Sequence, residues 1–103
     1  MDILKIIEEL NIKLSSAFQD FEGVYFYGSR QKNTHREDSD VDLVAIFKNV
    51  NRNKRMKIWQ IVGELEYKYD VILDLHPMTL AELKQNPFYY EQVVDFGKFY
   101  EAA

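Results

Sequence analysis

Apolar residues recur every three or four positions in two long stretches of the chain. The first stripe, over residues 3–18, predicts an amphipathic helix that is capped by Asp2 and extends to about Gln19. The second, over residues 56–69, predicts another long helix. Each helix has one apolar face, so both are expected to pack on a shared core.

Short apolar runs between and after these stripes predict strands. The first run, residues 24–27, is apolar or aromatic throughout and is expected to lie inside a sheet. Residues 20–23 before it are predicted to form a turn. The second run, residues 40–47, begins with an Asp-Val-Asp sequence and stays apolar to Phe47. The third covers residues 71–75.

The C-terminal region carries helix signals and many aromatic side chains. Thr79 and Glu82 have the spacing of a capping box, which predicts a short helix from Leu80. Pro87 predicts the start of another helix, which is expected to end at Gly97. Residues 99–100 are expected to form a short extended tail. Six aromatic residues lie within residues 88–100, so some are expected to face a partner.

Length and composition place these elements in one small α/β domain, residues 1–103, with a mixed sheet of three or four strands backed by helices. The net charge of −4 argues against nonspecific nucleic-acid binding. No apolar run reaches the length of a membrane span, and no signal-peptide pattern is present. The absence of cysteine fits a reducing compartment, so a cytoplasmic protein is expected.

The candidate chemistry lies between the first two strands. Asp40 and Asp42 are two positions apart at the start of a strand, so their side chains share a face. Their mutual repulsion disappears when a divalent cation such as Mg²⁺ lies between them. Gly28 and Ser29 follow the preceding strand, where backbone N–H groups and a hydroxyl can bind phosphate. These are the parts of a phosphoryl or nucleotidyl transfer site.

Further along the chain, Asp74 lies inside an apolar strand, where a carboxylate is costly unless it is paired or bound to metal. It is therefore the candidate third acid. Asp70, four residues earlier, is the alternative, since a two-residue period would place it on the same face. Arg30 is a candidate phosphate ligand beside Gly28-Ser29, and weaker candidates follow in the same loop at Lys32, His35 and Arg36.

Gly28-Ser29-Arg30, the gap that follows, and Ser39-Asp40-Val41-Asp42-Leu43 together resemble the signature of the minimal nucleotidyltransferases of the polymerase β-like superfamily. The resemblance covers essentially the whole chain. Many relatives have a glycine where this chain has Asn33, a residue that also tolerates left-handed turns. The resemblance implies a polymerase β palm-like fold.

The same resemblance implies an activity and roles for the site residues. It implies Mg²⁺-dependent transfer of a nucleoside monophosphate, most simply AMP from ATP, to a hydroxyl group. Asp74 would then act as the base toward that hydroxyl. The nucleotide would be bound by Gly28, Ser29 and Arg30, and the metal by Asp40, Asp42 and Asp74.

The acceptor-binding site is expected to be shared with another protein, because the chain has no room for an acceptor-binding domain. The resemblance implies a HEPN-type toxin as partner, in a homo- or hetero-oligomer, with a tyrosine of that toxin as acceptor and this chain as its antitoxin. Two alternatives stay open. One is an antitoxin subunit that binds nucleotide and neutralises its partner by contact without catalysis. The other is a transferase for a small molecule such as an aminoglycoside.

Overall fold

The computed structural model describes residues 2–31 and 40–103. The loop candidates Lys32, His35 and Arg36, together with Asn33, lie outside these residues. The elements in chain order are α1 (Ile3–Ala17), β1 (Phe21–Tyr27), β2 (Val41–Phe47), α2 (Arg52–Tyr69), β3 (Leu73–Met78), α3 (Leu80–Lys84), α4 (Pro87–Tyr90), a π-helical turn (Glu91–Asp95) and β4 (Lys98–Glu101).

The four strands form one mixed sheet in the order β3-β2-β1-β4. β2 and β3 are parallel, whereas β1 pairs antiparallel with both β2 and β4. This arrangement confirms the expected α/β fold and the internal position of β1. The apolar stripes of α1 and α2 cover one face of the sheet. The fully buried side chains of this shared core include Leu10, Leu14, Phe47 of β2, Ile58 and Leu65.

The opposite face of the sheet carries a smaller core. Its buried members are Val44 and Ile46 of β2, Leu83 of α3 and Val93 of the π-helical turn. The C-terminal helices therefore cover only part of this face. Asp42 and Asp74 lie at the end at which β2 and β3 begin, and both are partly exposed.

The first strand begins earlier than predicted, at Phe21, and includes residues that were expected to form a turn. Gly23 lies at a shift in the β1–β2 register and has φ +148°. A side chain at this position would overlap the ring of Phe99 in β4. The glycine therefore allows a β-bulge and the close approach of β4. In the sequence alone, a glycine in such a bulge looks like a glycine in a turn.

The third strand was predicted too early, since it spans Leu73–Met78 and includes Pro77. β3 is an edge strand, so the missing N–H of Pro77 leaves no carbonyl of a neighbouring strand without a hydrogen bond. Other predicted boundaries also shift. Helix α1 ends at Ala17, and the last helical segment ends at Asp95, ahead of Gly97. The capping box of Thr79 and Glu82 and the extended C-terminal tail are confirmed.

The aromatic C-terminal region is partly exposed, as expected. Phe88 is 73% exposed, and Phe96 and Phe99 are more than 40% exposed. Within the described parts of the chain, no helix is long and apolar enough to cross a membrane.

Lys54 at the start of α2 fixes the adjoining loops. Its Nζ donates to Asp20 Oδ2 at 2.6 Å and to the carbonyl of Asn49 at 2.8 Å, and it lies over the rings of Phe18 and Phe47. Burial alone would raise the pKa of Asp20. Hydrogen bonds from Lys54 and from the Asn49 backbone outweigh burial and lower that pKa.

We expect Lys54→Met to reduce the free energy of unfolding by about 1–2 kcal/mol at pH 7, because Asp20 loses its charged donor. The lowered pKa of Asp20 means that this contribution is present at neutral pH and is lost as the pH falls below about 4. Denaturant unfolding at pH 7 and at a pH below about 4 measures the difference in the free energy of unfolding between wild type and variant. The exposed Lys48→Met is the control. A difference that is the same at both pH values would contradict this interpretation.

Candidate active site

Three polar side chains form a row across the sheet, one from each of three neighbouring strands. Tyr27 of β1 is paired in register with Asp42 of β2, and Asp42 is paired with Asp74 of β3. Paired residues point to the same face of a sheet, and neighbouring strands lie about 4.8 Å apart. The carboxyl groups of Asp42 and Asp74 therefore lie at neighbouring positions on one face, where the charge of Asp74 acts on Asp42.

The pKa of Asp42 is raised, first by burial and then by the negative charges of Asp74 and Asp40. The charge of His76 opposes this effect but does not cancel it. Two neighbouring carboxylates that disfavour each other's ionisation gain from a cation placed between them. The electrostatics of the pair therefore suit a divalent metal ion.

Gly28 lies directly against this acid pair. It has φ +84°, a conformation that L side chains rarely adopt, and a Cβ here would overlap the Oδ2 atom of Asp42. Ser29 and Arg30 follow in the turn after β1 and are partly buried. From its place after β1, Gly28 is expected to let a ligand approach the backbone, and in the structure it also lets the Asp42 carboxylate approach.

The two remaining acid candidates occupy different positions. Asp40 immediately precedes β2 and is exposed, yet its charge contributes to the raised pKa of Asp42. Asp70 is the C-cap of α2, with φ 51°, and lies outside β3. The expectation that Asp70 shares a strand face with Asp74 is therefore wrong, because the chain leaves the helix in a left-handed turn at that residue. The structure brings Asp42 and Asp74 together and leaves Asp70 apart.

Two further contacts at the site were not predicted from the sequence. The hydroxyl of Tyr27 lies 2.9 Å from that of Tyr89 in α4, with the rings edge to face. Burial and the mutual hydrogen bond raise the pKa of Tyr27, and burial raises that of Tyr89. His76 Nε2 lies 3.1 Å from Asp74 Oδ1. The tyrosines are 62 residues apart, and no local pattern signals their contact.

The site fits a metal ion that takes only part of its coordination from the protein. Within residues 2–31 and 40–103, no group of three or more His, Cys, Asp or Glu side chains is arranged to hold a metal ion. Mg²⁺ usually binds through one or two carboxylates and fills its remaining positions with water and substrate phosphate oxygens. Asp42 and Asp74 provide such a pair.

We expect Asp42→Asn to raise the free energy of unfolding at pH 7 without metal by a few tenths to about 1 kcal/mol, because a repelling charge is removed. Because the pKa of the Asp42 carboxyl is raised, the stability of the wild type falls as the pH rises through that pKa. The difference in the free energy of unfolding between Asp42→Asn and the wild type should therefore widen from pH 4 to pH 7. Mg²⁺ should stabilise the wild type more than the variant. Melting temperatures with Mg²⁺ and with a chelator measure this; equal stabilisation of both proteins would contradict it.

Comparisons with known proteins identify the family of the whole domain. A family model described as a nucleotidyltransferase domain matches residues 4–99. A protein of Methanocaldococcus jannaschii, named as a candidate protein adenylyltransferase, is 31% identical over 99 residues, which cover 94% of this chain and 97% of that protein.

Solved structures share the fold. A chain in the crystal structure of a toxin–antitoxin complex with AMP-PNP is 23% identical, with a TM-score of 0.65 over 92% of this chain and 69% of its own length. A chain in the structure of a tri-AMPylated HEPN toxin with its MNT antitoxin, from Shewanella oneidensis, is 18% identical, with a TM-score of 0.53 over 89% of this chain and 69% of its own length. At these identities the similarity concerns the fold. The family model and the archaeal relative, which both span nearly the whole chain, establish that this protein belongs to the nucleotidyltransferase-domain family and is a nucleotidyltransferase.

Proposed function

We propose that this nucleotidyltransferase transfers AMP from Mg²⁺-bound ATP to a tyrosine hydroxyl of a HEPN-type toxin and so acts as the antitoxin of that pair. The observation that carries the proposal is the pairing of Asp42 with Asp74 in register, with Gly28 packed against Asp42. In this proposal residues 1–103 work as one domain in the cytoplasm, where ATP and the partner are available.

The site residues divide into two groups in this proposal. The backbone and side chains after β1 bind the nucleotide phosphates through Gly28, Ser29 and Arg30, since the backbone N–H groups of a turn, a hydroxyl and a guanidinium can all donate to an anion. The paired carboxylates of Asp42 and Asp74 would hold the metal, with Asp40 beside them as a third candidate ligand. When bound, Mg²⁺ supplies Lewis-acid polarisation of the phosphoryl group and neutralises charge on the leaving pyrophosphate.

The reaction makes one bond and breaks one. The acceptor oxygen attacks the α-phosphorus of ATP, a new O–P bond forms, and the bond between that phosphorus and the oxygen bridging it to the β-phosphate breaks, so pyrophosphate leaves. The hydroxyl proton passes to the carboxylate of Asp74. His76, whose Nε2 lies 3.1 Å from Asp74 Oδ1, orients that carboxylate.

The choice of acceptor rests on the relatives. The archaeal relative is named for protein adenylylation, and one solved complex contains an AMPylated HEPN toxin. The partner would complete the acceptor site and form a hetero-oligomer with this chain. A stable nucleic-acid ligand fits less well, because the net charge is −4 and the proposed site contains three acids.

Intact-protein mass spectrometry of a HEPN-type protein encoded beside this chain tests the proposal. Co-expression with the wild-type chain should add the mass of one or more AMP units to that protein. Co-expression with an Asp40→Asn/Asp42→Asn double variant should add none. A complex that forms with both chains while the partner's mass stays unchanged would instead support neutralisation by contact alone.

A further inference from the structure

A groove of about 370 Å³ lies along the outer side of the edge strand β3. One wall comes from α2 through Arg55 and Trp59, and the floor comes from β3, including His76. The other wall comes from the C-terminal helices through Glu82 and Tyr89. Trp59 is 47% exposed although it belongs to a long helix that packs on the core, so its indole ring is available to a ligand.

Two residues that line the groove also contact the row of side chains that contains the acid pair. His76 on its floor lies 3.1 Å from Asp74 through Nε2 and Oδ1. Tyr89 on its wall shares the 2.9 Å hydroxyl contact with Tyr27, which is paired in register with Asp42. A molecule seated in the groove would therefore reach the two carboxylates without crossing the sheet.

We propose that this groove binds the segment of the partner protein that carries the acceptor hydroxyl, a proposal that rests on the proposed function. In phosphoryl transfer the attacking and leaving oxygens lie roughly in line on opposite sides of the phosphorus. Gly28 follows β1, on one side of Asp42, and Asp74 lies in β3 on the other. With pyrophosphate held beside β1, the acceptor arrives from the side of β3, where the groove lies.

The side chains of the groove suit a protein segment. Arg55 and Trp59 are of the residue types that contribute most to protein–protein binding energy, and they lie one helical turn apart. Glu82 on the facing wall gives the groove both signs of charge. Phosphates of a nucleic-acid acceptor would instead meet Glu82 and the two acids, which repel them.

The test compares two double variants in α2. Arg55→Ala/Trp59→Ala removes one wall of the groove. Lys57→Ala/Tyr67→Ala is the matched control, since it removes one exposed cation and one exposed aromatic residue from the same helix at positions that do not line the groove. Steady-state transfer of AMP to the HEPN-type partner gives kcat and KM, and titration of the free chain with Mg²⁺–ATP gives the nucleotide affinity.

We expect the groove variant to raise KM for the partner by about tenfold to a hundredfold, as hot-spot residues do, and to bind Mg²⁺–ATP as the wild type does. The control should change neither value. Weaker Mg²⁺–ATP binding with an unchanged KM for the partner would show that the groove holds the nucleobase and would overturn the proposal. An unchanged groove variant would overturn it as well.

Failure of the proposed function has a different signature. In that case neither the wild-type chain nor either double variant in α2 transfers AMP to the partner. The affinity of the complex, measured by calorimetry, then tests the groove alone. A loss of affinity confined to Arg55→Ala/Trp59→Ala would support the groove as the partner's docking site, and equal affinities would overturn it.

Discussion

Asp74→Asn is expected to slow nucleotide transfer about a thousandfold, whereas Asp70→Asn should leave the rate unchanged. Asp74 lies beside Asp42 in register, and an amide at this position cannot take the hydroxyl proton and binds a cation poorly. Metal-assisted stabilisation of transition-state charge contributes several kcal/mol, which corresponds to about a thousandfold in rate. Single-turnover transfer of radiolabelled AMP to the partner measures the loss.

The Asp70→Asn control makes the same chemical change as Asp74→Asn at a position outside β3, so it tests whether the position of the carboxylate decides the rate. Asp70 has φ 51° at the end of α2, and asparagine tolerates this left-handed conformation well. We therefore expect its free energy of unfolding to stay within about 0.5 kcal/mol of the wild-type value. A large loss of transfer in Asp70→Asn with a normal rate in Asp74→Asn would reverse the assignment of the third carboxylate.

Gly28→Ala is expected to reduce transfer at least about a hundredfold, because it displaces the acid pair. The added methyl group would overlap Asp42 Oδ2, and φ +84° strains any L side chain. Either the carboxylate moves away from Asp74 or the end of β1 shifts. We expect a loss of about 1–3 kcal/mol in the free energy of unfolding. Transfer assays and denaturant unfolding measure the two effects.

Gly63→Ala in α2 is the matched control for the added methyl group. No heavy atom outside the local helix backbone lies within 4 Å of a Cβ built at Gly63, and the residue is helical. Alanine there should raise the free energy of unfolding by about 0.5–1 kcal/mol and leave transfer unchanged. Wild-type transfer by Gly28→Ala would contradict the packing of this glycine against the acid.

Much of the fold could be predicted because its local signals agree with its packing. The stripe that ends near Phe18 forms α1, and the Thr79–Glu82 capping box begins α3 as expected. The acidic start of β2 and the acid inside β3 also stood out, since a carboxylate in an apolar strand has a high cost. The sequence thus indicated Asp42 and Asp74, although their assignment as metal ligands stays a prediction.

Other features depend on contacts between distant parts of the chain. Pro77 belongs to β3 only because that strand lies at the edge of the sheet, and strand order has no local signature. The choice between Asp70 and Asp74 depended on where α2 ends, which a left-handed residue decides. The hydroxyl pair of Tyr27 and Tyr89 depends on how α4 folds over the sheet, so the sequence pattern gave no indication of it.

The unequal size of the two cores has a consequence for local unfolding. Among the residues that the structure describes, seventeen buried ones form the core between α1, α2 and one face of the sheet, whereas four form the core between the C-terminal helices and the other face. Segments with few buried apolar contacts open at lower free energy than the whole molecule. Backbone amides of residues 80–95 should therefore exchange with deuterium through local opening, while those near Leu10 and Leu14 exchange only through global unfolding. One wall of the groove can in this way detach and reclose while β2 and β3 keep the acid pair aligned.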